Sequence, residues 1–299
     1  MNKFILYFLI IVFLSETGNV FSKNNIFNVD NIIINNKKNE NREELVNKAI
    51  KKGFIELIDK ILLSKDLEFV KDTNLTNIKK LISNYQILEN HDGINKGEVL
   101  INLTFDREKI NKFFFSKNVS YADISKTSVL LYPVLIINNN FNVFSNNYYY
   151  DYWNQINQSK KDSIEYILPI ENLEDIRFIN NNKNNLESAD IQEILSDYDL
   201  KNYIFLIINF KNTEIDVFLK GFIDNNHFTK NIKIISQINE KEKNFENSIK
   251  KIQYEINEIW KSFNLIDVST PSFLNIYFDI KKANDLLELQ TAFKKIKLI

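Results

Sequence analysis

The apolar positions of this chain follow two spacings, one typical of amphipathic helices and one typical of half-buried strands. Between residues 42 and 63 an apolar residue recurs at every third or fourth position, which predicts a long helix with one buried face. Gly53 lies inside this helix, where a glycine often marks close packing against another backbone. From Val99 to Phe105 every second position is apolar, and this alternation predicts a strand.

The second half of the chain carries the clearest sheet signal. Three apolar segments separated by short polar turns predict a three-strand meander: Tyr203–Phe210, Glu214–Ile223 and Phe228–Ile235. A long amphipathic helix is predicted to follow from Asn244 to Phe263. Earlier, Ser128–Ile137 is almost continuously apolar, which predicts a strand buried on both faces. Its Pro133 places that strand at an edge or at a bulge.

Shorter patterns complete the predicted order of elements. We predict strands at Phe27–Ile34, Tyr166–Leu168 and Phe273–Ile280, and helices at Leu75–Ser83, Arg107–Ser116, Asn146–Ile156, Glu171–Phe178, Ala189–Leu195 and Lys282–Phe293. The fold class is α+β, with helices on one side of mainly antiparallel sheets. We expect two small units of this kind, residues 23–159 and 160–268, followed by a C-terminal β-α-β fragment at residues 269–299.

The N-terminus, residues 1–22, has the three-part layout of a secretory signal peptide. Met1–Lys3 is a short positive start, Phe4–Leu14 is uninterrupted apolar sequence, and the polar close ends in Val20-Phe21-Ser22. The apolar run is too short for a membrane span, which needs about 20 residues. We expect cleavage after Ser22 and export of a mature chain without a transmembrane segment to the periplasm. An uncleaved N-terminal anchor is the alternative.

Composition excludes several classes of partner and site. With 38 basic and 39 acidic residues the formal net charge is -1, so no net field draws the chain to nucleic acid or anionic lipid. The chain has no cysteine, which excludes disulfides, a lipid-modified N-terminal cysteine and cysteine-type zinc sites. Its five glycines build no phosphate-binding loop, and His91 and His227 stand in predicted loops outside any motif. We therefore expect no cofactor, no metal site and no assembled catalytic set.

The densest group of carboxylates near apolar residues follows Pro169 and comprises Glu171, Glu174 and Asp175. Paired carboxylates can carry out acid–base hydrolysis, as in glycosidases. We favour the interpretation that these residues begin a helix. Acidic side chains in a first turn meet free backbone N–H groups and the positive end of the helix dipole, and Pro169 supports a helix start at this point.

An aromatic run at residues 148–153 is the most unusual patch of the chain. At helical spacing Tyr149, Tyr152 and Trp153 share one face. Exposed rings could stack on a sugar or another small ligand. Burial in the core, with each tyrosine hydroxyl reaching water or a partner, is the favoured interpretation.

Five segments occur in an order that resembles a known family. They are Asn41-Arg42-Glu43-Glu44-Leu45, Ile101–Asp106, Leu130–Ile137 with its proline, Leu168–Asp175 and the helix end at Trp260. The order resembles the proteobacterial family called domain of unknown function 2066, over about residues 27–299. The Leu-Pro-x-x-x-Leu-Glu-Asp element within Leu168–Asp175 is the most specific piece. The resemblance implies an exported envelope protein and adds no catalytic residues.

The chain departs from the family pattern in two respects. It is poor in Gly, Arg and Trp, and Ile296–Ile299 looks like the opening of a strand that similar proteins continue. The C-terminal layer would then have an open edge, which either a partner completes or a longer chain would supply.

These features predict a non-catalytic periplasmic protein that acts by protein–protein contact in envelope assembly or maintenance, with another envelope protein as its partner. The first alternative is a periplasmic protein that binds a small molecule or glycan through Tyr149, Tyr152 and Trp153. The second alternative is a carboxylate-based hydrolase built on Glu171, Glu174 and Asp175.

Overall fold

The computed structural model describes residues 25–36, 40–88, 97–123, 126–156, 163–196, 198–211, 214–235, 241–267, 282 and 284–295. These residues form two compact units. Unit 1 contains the described parts of 1–60, 70–117 and 273–299, and unit 2 contains residues 61–69 with the described parts of 118–272. The predicted signal peptide, the predicted strand Phe273–Ile280 and the stretch Ile296–Ile299 lie outside the described residues.

The secondary structure confirms the α+β class. The described strands are β1 (Asn28–Asn35), β2 (Ile82–Leu88), β3 (Glu98–Phe105), β4 (Tyr121–Ala122), β5 (Thr127–Ile137), β6 (Asn140–Asn142), β7 (Ile164–Ile167), β8 (Tyr203–Phe210), β9 (Glu214–Ile223), β10 (Asn226–Ile235) and β11 (Leu265–Ile266). The helices are α1 (Arg42–Ile61), α2 (Leu75–Leu81), α3 (Arg107–Lys117), α4 (Tyr148–Ile156), α5 (Leu173–Asn181), α6 (Gln192–Leu195), α7 (Lys241–Phe263) and α8 (Asp285–Lys295). Among the described residues, no helix has the length and apolar character that crossing a bilayer requires.

Unit 1 contains a three-stranded antiparallel sheet in the order β1-β3-β2. The predicted alternation holds in β3, where Ile101, Leu103 and Phe105 are buried. Helix α1 packs closely on this sheet at Gly53. A Cβ there would lie 2.5 Å from Leu103 Cδ1 and 2.7 Å from Ile32 Cδ1, so the close approach is to side chains and not, as predicted, to another backbone.

Unit 2 is built on a six-stranded mixed sheet in the order β10-β9-β8-β5-β6, with β7 also beside β5. The antiparallel meander β8-β9-β10 confirms the prediction. Strand β5 pairs in parallel with both β7 and β8. The predicted domain boundary near residue 159 is therefore wrong, because β5 precedes it while β7 and β8 follow it in one sheet. The predicted boundary near residue 268 lies outside the described residues.

Helices cover both faces of the unit 2 sheet, whereas the sequence predicted helices on one side. Helices α4 and α7 supply Trp153 and Trp260 to one core. Helices α5 and α6 supply Phe178 and Ile194 to the core on the opposite face. The reason lies in the parallel pairings. Parallel strands need crossover connections, and here α4 connects β5 to β7 while α5 and α6 connect β7 to β8.

Pro133 lies where β5 has only one neighbouring strand. Strand β7 pairs with Thr127–Leu130 and β6 pairs with Leu135–Ile137, so residues 131–134 pair with β8 alone among the described strands. Proline has no N–H to donate, and this one-sided stretch tolerates it inside an otherwise central strand.

Candidate functional site

The segment that joins β7 to α5 holds the carboxylates singled out in the sequence. Helix α5 begins at Leu173, two residues later than predicted, because the side chain of Asn172 caps it by accepting from the backbone N–H of Asp175 at 2.7 Å. Glu174 and Asp175 occupy the first turn, as the helix-start interpretation expects. Glu171 precedes the cap.

Two tyrosines from other parts of unit 2 hold this segment in place. The Tyr150 hydroxyl of α4 donates to the carbonyl oxygen of Pro169 at 2.9 Å. The backbone N–H of Ile170 donates to the Tyr198 hydroxyl at 3.0 Å. The Tyr150 ring packs edge-on against Phe144, with 5.2 Å between the ring centroids. The side chains of Tyr150 in α4 and of Tyr198 after α6 thus anchor the backbone at residues 169–170.

A polar pair lies beneath the segment. Asp175 and Tyr132 are both fully buried, and the negative charge of Asp175 acts on the Tyr132 hydroxyl. Burial above all, and then the negative charge of Asp175, raises the pKa of Tyr132 far above its ordinary value. Tyr132 therefore stays protonated at neutral pH. The Asp175 carboxylate lies in the first turn of α5, where free backbone N–H groups and the helix dipole favour a negative charge.

The three carboxylates do not form the acid–base pair that a hydrolase needs. Glu171 and Glu174 are exposed at the start of α5, whereas Asp175 is enclosed in the core. Two catalytic carboxylates would have to face each other across a cleft that admits substrate. The arrangement fits the helix-start interpretation and not the hydrolase alternative.

The surface of the same segment is apolar. Ile170 is 76% exposed and Leu173 is 68% exposed, and Ile167 at the end of β7 is also exposed. Scattered single apolar residues are normal on protein surfaces, but three within seven positions of one anchored segment form a candidate contact surface. We call Ile167, Ile170 and Leu173 the β7–α5 surface.

The aromatic run does not present the face that the ligand-binding alternative requires. Tyr149 and Trp153 are fully buried, and the Tyr149 hydroxyl and Ser248 Oγ are 2.7 Å apart. Tyr152 is 41% exposed and stacks on Tyr148 instead. The buried face of α4 contains positions 149 and 153, which are four residues apart on the helix. Position 152 therefore lies at the edge of that face, towards the surface. A ligand site made of Tyr149, Tyr152 and Trp153 together is therefore contradicted.

The two histidines are the remaining candidates from the sequence. His227 pairs with Phe222 across β10 and β9 instead of lying in a loop, and His91 lies outside the described residues. Within the described ranges, no three His, Asp or Glu side chains are grouped so that they could hold a metal ion.

Sequence reasoning missed Tyr150 and Tyr198, which hold the candidate segment, and the buried Tyr132. One signal was available for Tyr132, because its hydroxyl lies in the apolar middle of a strand that the sequence predicts to be buried on both faces. Tyr150 and Tyr198 carry no such local signal, since their partners Pro169 and Ile170 lie far away along the chain.

No protein-family model, curated protein or solved structure matches this chain.

Proposed function

We propose that this chain is a non-catalytic, exported envelope protein that binds another protein through the β7–α5 surface. The observation that carries the proposal is the exposure of Ile170 and Leu173 on a segment whose backbone is held in place. Complete burial of each side chain by a partner would contribute about 2 kcal/mol from the hydrophobic effect.

The anchoring of this segment favours binding. A flexible loop loses conformational freedom when a partner orders it, and this cost subtracts from affinity. Here Tyr150, Tyr198 and the Asn172 cap already fix the backbone on both sides of Ile170. More of the free energy of apolar burial is then retained as affinity.

Strand β7 offers a partner a second kind of contact. Among the described strands, β7 pairs only with β5, so no described strand lies along its other edge. An extended segment of a partner could pair along this edge while its side chains contact Ile167 and Ile170.

The periplasmic location in this proposal rests on the signal-peptide pattern of residues 1–22. The net charge of -1 is consistent with a protein partner rather than nucleic acid.

Affinity capture from native envelope extracts tests the proposal. The bait is the wild-type chain, a double variant Ile170→Asp/Leu173→Asp, or the matched control Phe69→Asp/Ile235→Asp, which changes two exposed apolar residues elsewhere in unit 2. We expect the wild type and the control to recover the same partner and the site variant to lose it. Recovery of the same proteins with all three baits would contradict the proposal.

A further inference from the structure

A groove with a basic rim lies in unit 1, where α2 ends and α3 begins. Its volume is about 570 Å³, and it is lined by Lys80, Leu81, Lys109, Lys112 and Phe113. We call these five residues the lysine groove.

The floor of the lysine groove is apolar and ordered. Leu81 is buried, and its carbonyl oxygen accepts from the backbone N–H of Asp106 at 2.8 Å, which joins the end of α2 to the start of α3. Phe113 is half-buried and packs edge-on against Phe54, with 6.1 Å between the ring centroids. An apolar side chain that enters the groove would therefore meet a surface that needs little rearrangement.

The rim of the groove carries positive charge. Lys80, Lys109 and Lys112 are exposed, and only Lys109 has a nearby carboxylate, with 3.9 Å from its Nζ to Asp106 Oδ2. Neither Lys80 nor Lys112 forms an ion pair with another residue that the structure describes. An occupant that combines apolar side chains with a carboxylate complements both the floor and the rim. A bilayer surface fits less well, because the apolar residues form the floor of the groove and do not protrude.

The first turn of α8 has this complementary chemistry. Leu286 is 49% exposed and Leu287 is 67% exposed. Glu288 follows them, is also exposed, and forms no ion pair with any described residue. The turn is held in shape by Asp285, whose carboxylate accepts from the backbone N–H of Lys282 at 2.8 Å. Because both leucines are exposed, this turn does not fill the lysine groove of its own copy.

We propose that the first turn of α8 from a second copy of this chain binds in the lysine groove. Leu286 and Leu287 would bury their side chains on Leu81 and Phe113, and Glu288 would pair with the lysines of the rim. Burial of the apolar side chains supplies the affinity, and the opposite charges fix the orientation.

The two surfaces of this contact are different parts of the same chain. In a dimer with two-fold symmetry the contact forms twice, because each copy donates α8 and receives the α8 of the other. The inference goes beyond the proposed function and uses none of the residues of the β7–α5 surface, so either can fail without the other.

Sedimentation equilibrium of the purified protein over a series of concentrations tests the inference. We expect the wild type to associate, and Leu286→Asp/Leu287→Asp to weaken association about tenfold or more because it removes the apolar contacts. Lys80→Glu/Lys112→Glu should weaken association by a similar factor, because it places like charges opposite Glu288.

Matched controls change exposed residues of unit 1 that do not line the groove. Tyr85→Asp/Phe115→Asp is the control for the leucines, and Lys51→Glu/Lys117→Glu is the control for the lysines. Both should associate as the wild type does. A wild type that stays monomeric throughout, or equal association of the wild type and both site variants, would overturn the inference.

A mixing experiment distinguishes a specific contact from a general loss of association. The leucine variant keeps an intact lysine groove, and the lysine variant keeps an intact α8. An equimolar mixture of the two should therefore associate more strongly than either variant alone, through the one contact that remains. A mixture that associates no better than the separate variants would overturn the assignment of α8 to the groove.

Discussion

The side-chain amide of Asn147 donates to the carbonyl oxygen of Pro133 at 2.9 Å, in the stretch of β5 that has one neighbouring strand. The same amide donates to the carbonyl oxygens of Asn142 and Val143, and its oxygen accepts from the backbone N–H of Tyr149. Asn147 is fully buried. One side chain thus replaces the missing strand neighbour at Pro133 and caps the start of α4.

Removal of this amide should destabilise unit 2 strongly. Asn147→Ala would leave buried carbonyl oxygens and N–H groups without partners, and we expect a loss of about 3 kcal/mol in the free energy of unfolding. Urea denaturation followed by circular dichroism measures this loss. Asn147→Asp keeps the acceptor for the α4 cap but places a carboxylate against three carbonyl oxygens. It should therefore lose at least as much stability as Asn147→Ala. If the free energy of unfolding of Asn147→Ala lay within about 0.5 kcal/mol of the wild-type value, the Asn147 hydrogen bonds would contribute little.

Local periodicity predicted the elements that depend on local patterns. The meander β8-β9-β10 and the buried stripe of α7, including Ile249, Ile256 and Trp260, follow directly from alternation and from the helical spacing. Strand β2 was missed because most of its residues are exposed, so it lacks an alternating apolar pattern, and its first residues were assigned to the preceding helix.

The non-local features could not be predicted from spacing. The parallel pairing of β5 with β7 and β8 depends on which crossover packs on which face, and no short segment encodes that choice. The candidate site shows the same division. The helix start at Glu174 and Asp175 was predictable, whereas the contacts of Tyr150 and Tyr198 join segments that are distant in the sequence.

Tyr132 should make the free energy of unfolding depend on pH in the alkaline range. Burial, and then the Asp175 charge, raises the pKa of Tyr132 above the ordinary value of 10.0. Above that pH the unfolded chain loses the tyrosine proton while the folded chain keeps it, so the free energy of unfolding falls as pH rises. In this alkaline range the free energy of unfolding of Tyr132→Phe should fall by about 1.4 kcal/mol less per pH unit than that of the wild type. Urea unfolding at a series of alkaline pH values measures the difference in slope.

A packing variant provides the control for Tyr132. Phe144→Leu alters a ring that packs against Tyr132 at a centroid distance of 6.4 Å, and it removes no ionisable group. It should lower stability by a similar amount at every pH and leave the slope unchanged. If the curves of the wild type and Tyr132→Phe run parallel through the alkaline range, the hydroxyl does not have the raised pKa described above.

Gly221 should tolerate a methyl group less well than Gly53. A Cβ on Gly221 would lie 2.7 Å from the backbone oxygen of Tyr203 and 2.6 Å from Phe228 Cζ. The backbone of β8 cannot move away cheaply, so Gly221→Ala should cost about 2 to 3 kcal/mol. Gly53→Ala meets only side-chain ends and gains about 1 kcal/mol of helix propensity, which offsets part of its cost. Urea denaturation of both variants measures the loss in the free energy of unfolding. A larger loss for Gly53→Ala than for Gly221→Ala would contradict this ranking.

Export predicts a specific mature N-terminus. If residues 1–22 are a cleaved signal peptide, the protein isolated from the cells that produce it should begin at Lys23. N-terminal sequencing or intact mass measurement gives the answer. A chain that retains Met1 would support the anchor alternative instead.

Site-specific photocrosslinking in the cells that produce the protein tests the proposed interaction most directly. A benzoylphenylalanine placed at Ile170 should form a discrete adduct with one partner protein, and Leu173→Asp in the same chain should abolish it. The same probe at Ile235, which is 90% exposed in unit 2, is the control and should not form that adduct. The absence of an adduct at Ile170, or the same adducts at Ile170 and Ile235, would contradict a protein-binding role for the β7–α5 surface.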